Sequence, residues 1–241
     1  MKPLADYATF LELDRQYSRK VGNDYLLPGA VQSLIASGKL SYIALPGGLF
    51  LFEQRDNYQK LYFRLMDTAL SLPKMDCALV AYTVYKGDPT DGITEAWLTQ
   101  NGFAVRRTRL RYAADTLNVT PSLNGISHAD ADEAYPVYRT CFSDLLTADL
   151  PCPEQFEGAY CLRDDAGQVM GVLSKGQNRH IAVLPAYRGR GVAARLYGGW
   201  MTENHGKIRV WTDVDNPAAN AMYRKLGFLP DGMTARCYVK E

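Results

Sequence analysis

The sequence predicts an α/β (α+β) protein of two related domains, 1–118 and 119–241, and three observations carry that prediction. Short β-branched and aromatic segments alternate with segments of helical periodicity along the whole chain. The order of those segments in the first half recurs in the second. Between the halves, Asn118, Pro121, Asn124 and Gly125 gather loop-forming residues within Asp115–Gly125.

In the first half, Leu4, Tyr7, Ala8, Leu11 and Tyr17 recur near helical spacing and predict a helix over 5–20; a second is expected from Pro28 to Ser37. Three strand candidates follow, Lys39–Leu45, Gly48–Gln54 and Lys60–Leu65. The turns Pro46-Gly47-Gly48 and Asp56-Asn57 make them an antiparallel meander. Strand Cys77–Tyr85, the helix-like ITEAWLTQNG and strand FAVRRTRLRY complete the half. The second half gives a helix near Ala129–Phe142 and strands Ala159–Arg163, Gln168–Leu173 and Arg179–Leu184. Then come a long helix Val192–His205, strand Lys207–Asp213, helix Pro217–Leu226 and strand Ala235–Lys240. EAWLTQNGF (95–103) and NAMYRKLGF (220–228) end alike, in an apolar helix closed by glycine with an aromatic entering the next strand. Glycine suits that place because the residue past a helix end commonly takes positive φ.

Composition narrows the classes of function. With 47% hydrophobic and 22% charged residues the chain reads as an ordinary soluble globular protein. A formal charge of +1 gives no general attraction to nucleic acid or acidic membrane. No segment approaches ~18 apolar residues, and MKPLADYATFLELDRQYSRK lacks the apolar run of a secretory leader. The five cysteines are odd in number and form no C-x-x-C pair, so a reducing, cytoplasmic setting is expected. His128, His180 and His205 stand far apart, and no metal is expected.

The segment HIAVLPAYRGRGVAARLYGGWMTENHG (180–206) carries the chemistry. A strand runs through Pro185 into Arg188-Gly189-Arg190-Gly191 and directly into a helix. Glycines let backbone N–H groups approach a ligand, and a helix start favours an anion such as pyrophosphate. Two arginines at a helix start oppose its dipole unless an anion is present, which disfavours a turn that binds nothing. Gly189-x-Gly191-x-x-Ala194 with Asp213 also fits the dinucleotide fingerprint. Against it, Leu184–Tyr187 intervenes between strand and glycines, and too few residues follow to complete a doubly wound domain.

Arg188-x-x-Gly191-x-Ala193, preceded by Val183-x-Pro185, resembles the CoA-pyrophosphate motif of the GNAT superfamily of N-acetyltransferases. VWTDVDNPAANAMYRKLGF (210–228) resembles its second motif, with wording closest to the glycine N-acyltransferase-like branch. The resemblance covers about the last 115 residues. It implies two GNAT-like domains, each a mixed, mainly antiparallel twisted sheet flanked by helices. The N-terminal copy is degenerate, since MDTALSLPKMD holds no glycine loop where the motif would fall, and would shape the acceptor pocket or pack a homodimer.

Carried over, the resemblance implies that the backbone of Ile181, Ala182 and Val183 pairs with the pantetheine arm. Arg188, Gly189, Arg190, Gly191, Val192, Ala193 and Ala194 would wrap the pyrophosphate. Asn216 and Asn220 match cofactor-contacting positions, although Asn216 before Pro217 is equally a helix cap. Tyr223 falls where the family places a tyrosine near the CoA sulfur, as general acid or as plain core. The base is left open: Trp211 stands where relatives carry glutamate, Asp213 shares its strand face, and His180 faces the other way. Arg107, Arg109 and Arg111 alternate on one strand face, either solvated and paired with acids or reading an acidic acceptor. The expected activity is direct transfer of an acetyl or other acyl group from acetyl-CoA to a primary amine, small-molecule or peptide. The rivals are a non-catalytic CoA sensor and a dinucleotide oxidoreductase.

Overall fold

The structure, a computed structural model, describes residues 1–17, 21–23, 26–87, 92–143, 151–175 and 179–241. It divides into two compact units: Met1–Arg109 with Gly232–Glu241, and Leu110–Asp231. The expected division at 118/119 is displaced, because two strands run from one unit into the other: β7 (Ala104–Ala114) and β13 (Leu229–Lys240). The loop formers near 118–125 mark a connection but not the edge of a self-contained body.

Unit 1 opens with β1 (Lys2–Pro3) and α1 (Tyr7–Gln16), capped by Asp6, whose carboxylate accepts the Thr9 N–H at 2.8 Å. Residues 18–20 of the expected first helix lie outside the described residues. After β2 (Val21–Gly22), α2 (Pro28–Ala36) starts on a proline, which loses nothing there because the first-turn N–H has no intrahelical acceptor. Strands β3 (Leu40–Leu45), β4 (Gly48–Gln54) and β5 (Gln59–Leu65) form the predicted meander. β6 (Leu79–Lys86) and α3 (Ile93–Gln100) follow. The order is β1-β3-β4-β5-β6-β13, with β2 also on β5. β5 and β6 run parallel, while β1 with β3, β3 with β4, β4 with β5, β2 with β5 and β6 with β13 are antiparallel. β4 reads as a nearly continuous apolar run because both faces are covered. Phe50 and Phe52 meet the cluster around Trp97, while Leu49 and Leu51 meet Phe10, Leu13 and Val31.

Unit 2 holds a four-stranded antiparallel sheet of β8 (Ile126–Ala129), β9 (Ala159–Arg163), β10 (Val169–Leu173) and β11 (Ile181–Val183), in order β11-β10-β9-β8. α4 (Ala131–Cys141) supplies Tyr138 to one face of that sheet. α5 (Val192–Glu203) and α6 (Pro217–Lys225) supply Leu196, Tyr197, Trp200 and Tyr223 to the other cluster. β12 (Ile208–Asp213) lies beside the end of β7. The glycine pair inside α5 has a packing reason: a Cβ on Gly198 would come within 2.7 Å of the Thr120 carbonyl, and one on Gly199 within 3.0 Å of Ile126. The sheet is mixed and mainly antiparallel, and no helix among the described residues is long and apolar enough to cross a membrane.

Three short strands escape sequence reading: β1, β2 and β8. None is long enough to show a period of two. β13 begins at Leu229 rather than Ala235. Pro230 and Gly232 look like turn formers, yet the Gly232 carbonyl accepts the Gly87 N–H at 2.8 Å and Asp231 is held by Arg111 at 2.8 Å. Arg111 also lies over the Trp211 ring at 5.7 Å, and Arg109 over Tyr82 at 5.9 Å. The arginine series is therefore paired with an acid and with aromatic faces at two of its three members.

Because Tyr112 and Ala114 of β7 belong to the core of unit 2, a fragment of residues 119–241 lacks part of its own interior. Losing a buried aromatic costs about 3–5 kcal/mol, a large part of the roughly 5–15 kcal/mol that holds a domain. The fragment is expected to show no cooperative thermal transition by circular dichroism while the full chain melts sharply. A sharply melting fragment would show that unit 2 is self-sufficient.

Candidate functional site

β11 presents one paired and one open edge. Ser174 N–H donates to His180 C=O at 2.9 Å and Leu184 N–H to Met170 C=O at 3.0 Å. The even-numbered residues thus turn their main-chain groups toward β10, and Ile181 and Val183 turn theirs the other way. β11 is the last strand of its sheet and β12 belongs to another, so among the described residues no strand covers that edge. The side chains of Ile181 and Val183 pack on the Tyr223 cluster and that of Ala182 on the Tyr138 cluster, as core residues do. His180 faces the second cluster, its ring 5.6 Å from Tyr138 and 6.2 Å from Phe156. It stands away from Tyr223.

From β11 the chain passes Leu184 and a 3-10 turn, Pro185–Tyr187, to the glycine–arginine loop. Tyr187 anchors the turn, donating its hydroxyl to Asp164 at 2.6 Å; this bond, more than the Gln168 N–H that also reaches Asp164, holds that carboxyl below its ordinary range. Arg188 Nε donates to Val183 C=O at 3.0 Å, and Arg190 lies over the Tyr187 ring at 5.6 Å. The Cys141 thiol reaches the same Val183 carbonyl at 3.4 Å, and burial pushes its pKa up. Tyr187 and Asp164 were not singled out by sequence reading; their only signal was an acid in the tight Asp164–Gly167 turn and an aromatic after Pro185.

Gly189 and Gly191 take φ of +76° and +77°, which only glycine adopts without strain. A Cβ on either would meet nothing within 4 Å among the described residues. Among the described residues no side chain caps α5, and its first bond runs from Arg195 N–H to Gly191 C=O at 3.1 Å. The N–H groups of Val192, Ala193 and Ala194 therefore point out of the helix start without intrahelical acceptors. Uncapped donors, positive dipole and the exposed Arg188 and Arg190 make an anion cradle of the right chemistry for a pyrophosphate.

On α6 the capping account of Asn216 holds: its Oδ1 accepts the Ala219 N–H at 3.0 Å. Asn220 donates Nδ2 to the Asp213 carbonyl at 3.0 Å, while its Oδ1 is buried and has no hydrogen-bond partner among the described residues. Asp213 thus serves the turn through its main chain, taking the Asn216 N–H as well at 3.1 Å. Tyr223 is 5% exposed, with Tyr112 at 5.9 Å and Phe228 edge-on at 5.3 Å. Burial pushes its pKa up to about 12. The neighbouring Tyr197 phenol is raised as well, by burial first and then by the Tyr223 phenol beside it. β11, α5 and α6 therefore converge on one cluster that holds a protonated phenol at neutral pH.

Residues 156–230, which include the loop, Asn216 and Tyr223, match the family model of the acetyltransferase (GNAT) domain. They are a GNAT domain, a family whose general reaction is acyl transfer. The dinucleotide reading fails on topology, since β10 and β11 are antiparallel where a Rossmann unit needs parallel strands. Among curated relatives, an uncharacterized protein of Mycobacterium leprae (strain TN) is 46% identical over 59 residues, 24% of this chain and 16% of that protein. Mycothiol acetyltransferase of Rhodococcus jostii (strain RHA1) is 34% identical over 77 residues, 29% of this chain and 25% of that enzyme. The matches thus span a quarter or less of those relatives' length. In fold, the chain is similar to a GCN5-related N-acetyltransferase from Kribbella flavida, at 18% identity and TM-score 0.55 over 86% of this chain and 93% of that one. A GNAT-family acetyltransferase from Colwellia psychrerythraea gives 14% identity and TM-score 0.54 over 100% and 99%.

The raised Tyr223 pKa has a stability consequence. An unfolded tyrosine ionises near 10 and the folded one near 12, so between those values the unfolded chain binds fewer protons. The contribution is whole below pH ~10 and is lost as pH rises toward 12, on the order of 2 kcal/mol. Urea unfolding from pH 9 to 12 should show a decline that is shallower in Tyr223→Phe. Equal slopes in the two proteins would mean Tyr223 ionises as freely in the fold as outside it.

Proposed function

We propose that the Leu110–Asp231 unit transfers an acyl group, acetyl in the first instance, from acyl-CoA to a primary amine. The observation that carries this reading is the open β11 edge running directly into the uncapped glycine–arginine helix start within a GNAT domain. Main-chain groups of Ile181 and Val183 would hold the amides of the pantetheine arm, and residues Arg188 to Ala194 the pyrophosphate. Asn220, with a buried Oδ1 still to be satisfied, suits a donor on the same ligand.

In the transfer the neutral amine attacks the thioester carbonyl, the N–C bond forms and the C–S bond breaks. The departing thiolate takes the Tyr223 proton, and the surplus proton that the amine sheds to water restores the phenol. Tyr223 offers the acid role a phenol that is protonated at neutral pH. Trp211, under the Arg111 guanidinium, offers no base where relatives carry a glutamate. That observation favours a second reading, a CoA-binding sensor without turnover. Assay of acetyl-CoA against a panel of primary amines separates the two: free thiol released with an amine present supports the enzyme.

Gly191→Glu would put a negative side chain where the cradle expects an anion. Acetyl-CoA affinity by calorimetry should fall more than tenfold, roughly 1.4 kcal/mol, with the thermal transition retained. Unchanged affinity in a folded variant would remove the loop from the phosphate role. Tyr223→Phe keeps the ring and its packing and removes only the proton. With chemistry rate-limiting, kcat should drop about 10²-fold at nearly constant acetyl-CoA affinity, the low end for a general acid. An unaltered kcat would leave Tyr223 a core residue and the cradle assignment intact.

A further inference from the structure

Unit 1 contains the counterpart of the open β11 edge, and its own chain closes it. In each unit the strand pair β5 and β6, or β11 and β12, precedes a helix ending in Gly-Phe, at Gly102-Phe103 and Gly227-Phe228. β5 therefore corresponds to β11. β5 pairs with β6 only at Gln59↔Leu79, Lys60↔Val80 and Leu61↔Ala81, whereas β6 continues to Lys86 against β13. Beyond Leu61 the two strands part.

We infer that residues 21–23 occupy, in unit 1, the place that the acyl-CoA arm takes in unit 2, so that the chain carries a single acyl-CoA site and seals the other from within. Val21 lies opposite Leu65 and Gly22 opposite Arg64 along the edge that β6 leaves. Asn23, 1% exposed, continues the contact with both its main chain and its side chain. Its N–H donates to Phe63 C=O at 3.2 Å, its Nδ2 to Leu61 C=O at 3.0 Å, and its Oδ1 accepts the Phe63 N–H at 2.9 Å. The carboxamide thus does for Leu61 and Phe63 what an amide of a bound arm would do. Gly22 is required at the closest point, since a Cβ there would sit 2.2 Å from the Phe63 carbonyl.

Two further differences agree with a sealed copy. Between β5 and β6 the chain forms no helix, whereas between β11 and β12 it forms the glycine loop and α5. Buried Val21 also joins the Trp97 core, so withdrawing the segment would expose apolar surface as well as strand edge. The inference rests on the acyl-CoA reading of unit 2, and the experiment keeps the two apart.

Hydrogen exchange resolved by residue on the full chain provides the test. Without ligand, the Phe63 amide should already exchange at least a hundredfold more slowly than in an unstructured chain, and saturating acetyl-CoA should leave it unchanged. Acetyl-CoA should slow only the amides of Ile181 and Val183 and the loop after them. In Asn23→Ala, Phe63 exchange should quicken at least tenfold while the response at Ile181 and Val183 persists. An unprotected Phe63 amide in the ligand-free wild type, or one that gains protection only with acetyl-CoA, would overturn the inference without any variant. So would a folded Asn23→Ala protein with unchanged Phe63 exchange. Failure of the acyl-CoA reading looks different: Phe63 is protected as before, and Ile181 and Val183 do not respond.

Discussion

A strand that parts from its neighbour must find other partners for its main-chain groups, and the two units meet this demand in opposite ways. A buried backbone polar group left unpaired costs about 1–3 kcal/mol, so an edge inside a fold has to be covered, wetted or kept for a ligand. Beside β5, Asn23 satisfies Leu61 and Phe63. Beside β11, Val183 C=O is met by Arg188 and Cys141, while the rest of that edge faces no strand among the described residues. The same architecture yields a closed body in one unit and a candidate binding cleft in the other. The choice between them is made by three residues near the start of the chain and one loop near its end.

The features of the glycine–arginine loop act in one direction. Positive φ at Gly189 and Gly191 turns the chain, and the uncapped start of α5 supplies donors. Tyr187 on Asp164 fixes where the turn sits. A capping Ser or Asp at position 191 would satisfy those donors internally and remove their use to a ligand. At α6 the opposite solution appears, with Asn216 capping the helix. One helix start in the domain is finished by its own side chain and the other is left open.

Much of the fold and of the candidate site's layout is legible in sequence because the long elements carry clear periods and the candidate residues are concentrated. Twelve residues from Val183 to Ala194 hold the turn, the glycines and the arginines in linear order. Capping by Asn216 and burial of Tyr223 follow from Asn-Pro and from an aromatic on an apolar helix face. What sequence does not show depends on contacts far apart in the chain. The two-residue β2 has no period, and its role appears only when Asn23 meets Phe63, forty residues away. The start of β13 is hidden by Pro230 and Gly232, whose turn-like character yields to pairing with β6 and to Arg111. On β12 the position at which relatives carry a glutamate holds Trp211, lying under the Arg111 guanidinium, while the Asp213 main chain takes the Asn216 and Asn220 donors.

The passage of β7 and β13 between the units bears on how the protein is made. β6, which pairs with β5 on one side, finds its other partner in residues Met233–Lys240, more than 140 positions downstream of the β6 residues they pair with. On the ribosome, unit 1 cannot close its sheet before unit 2 has been translated. The usual order, in which an N-terminal body matures while the next is still being synthesised, does not apply to this chain. Until then the β6 edge is exposed to any strand that will pair with it, so crowding of nascent chains is the moment of greatest risk for misassembly.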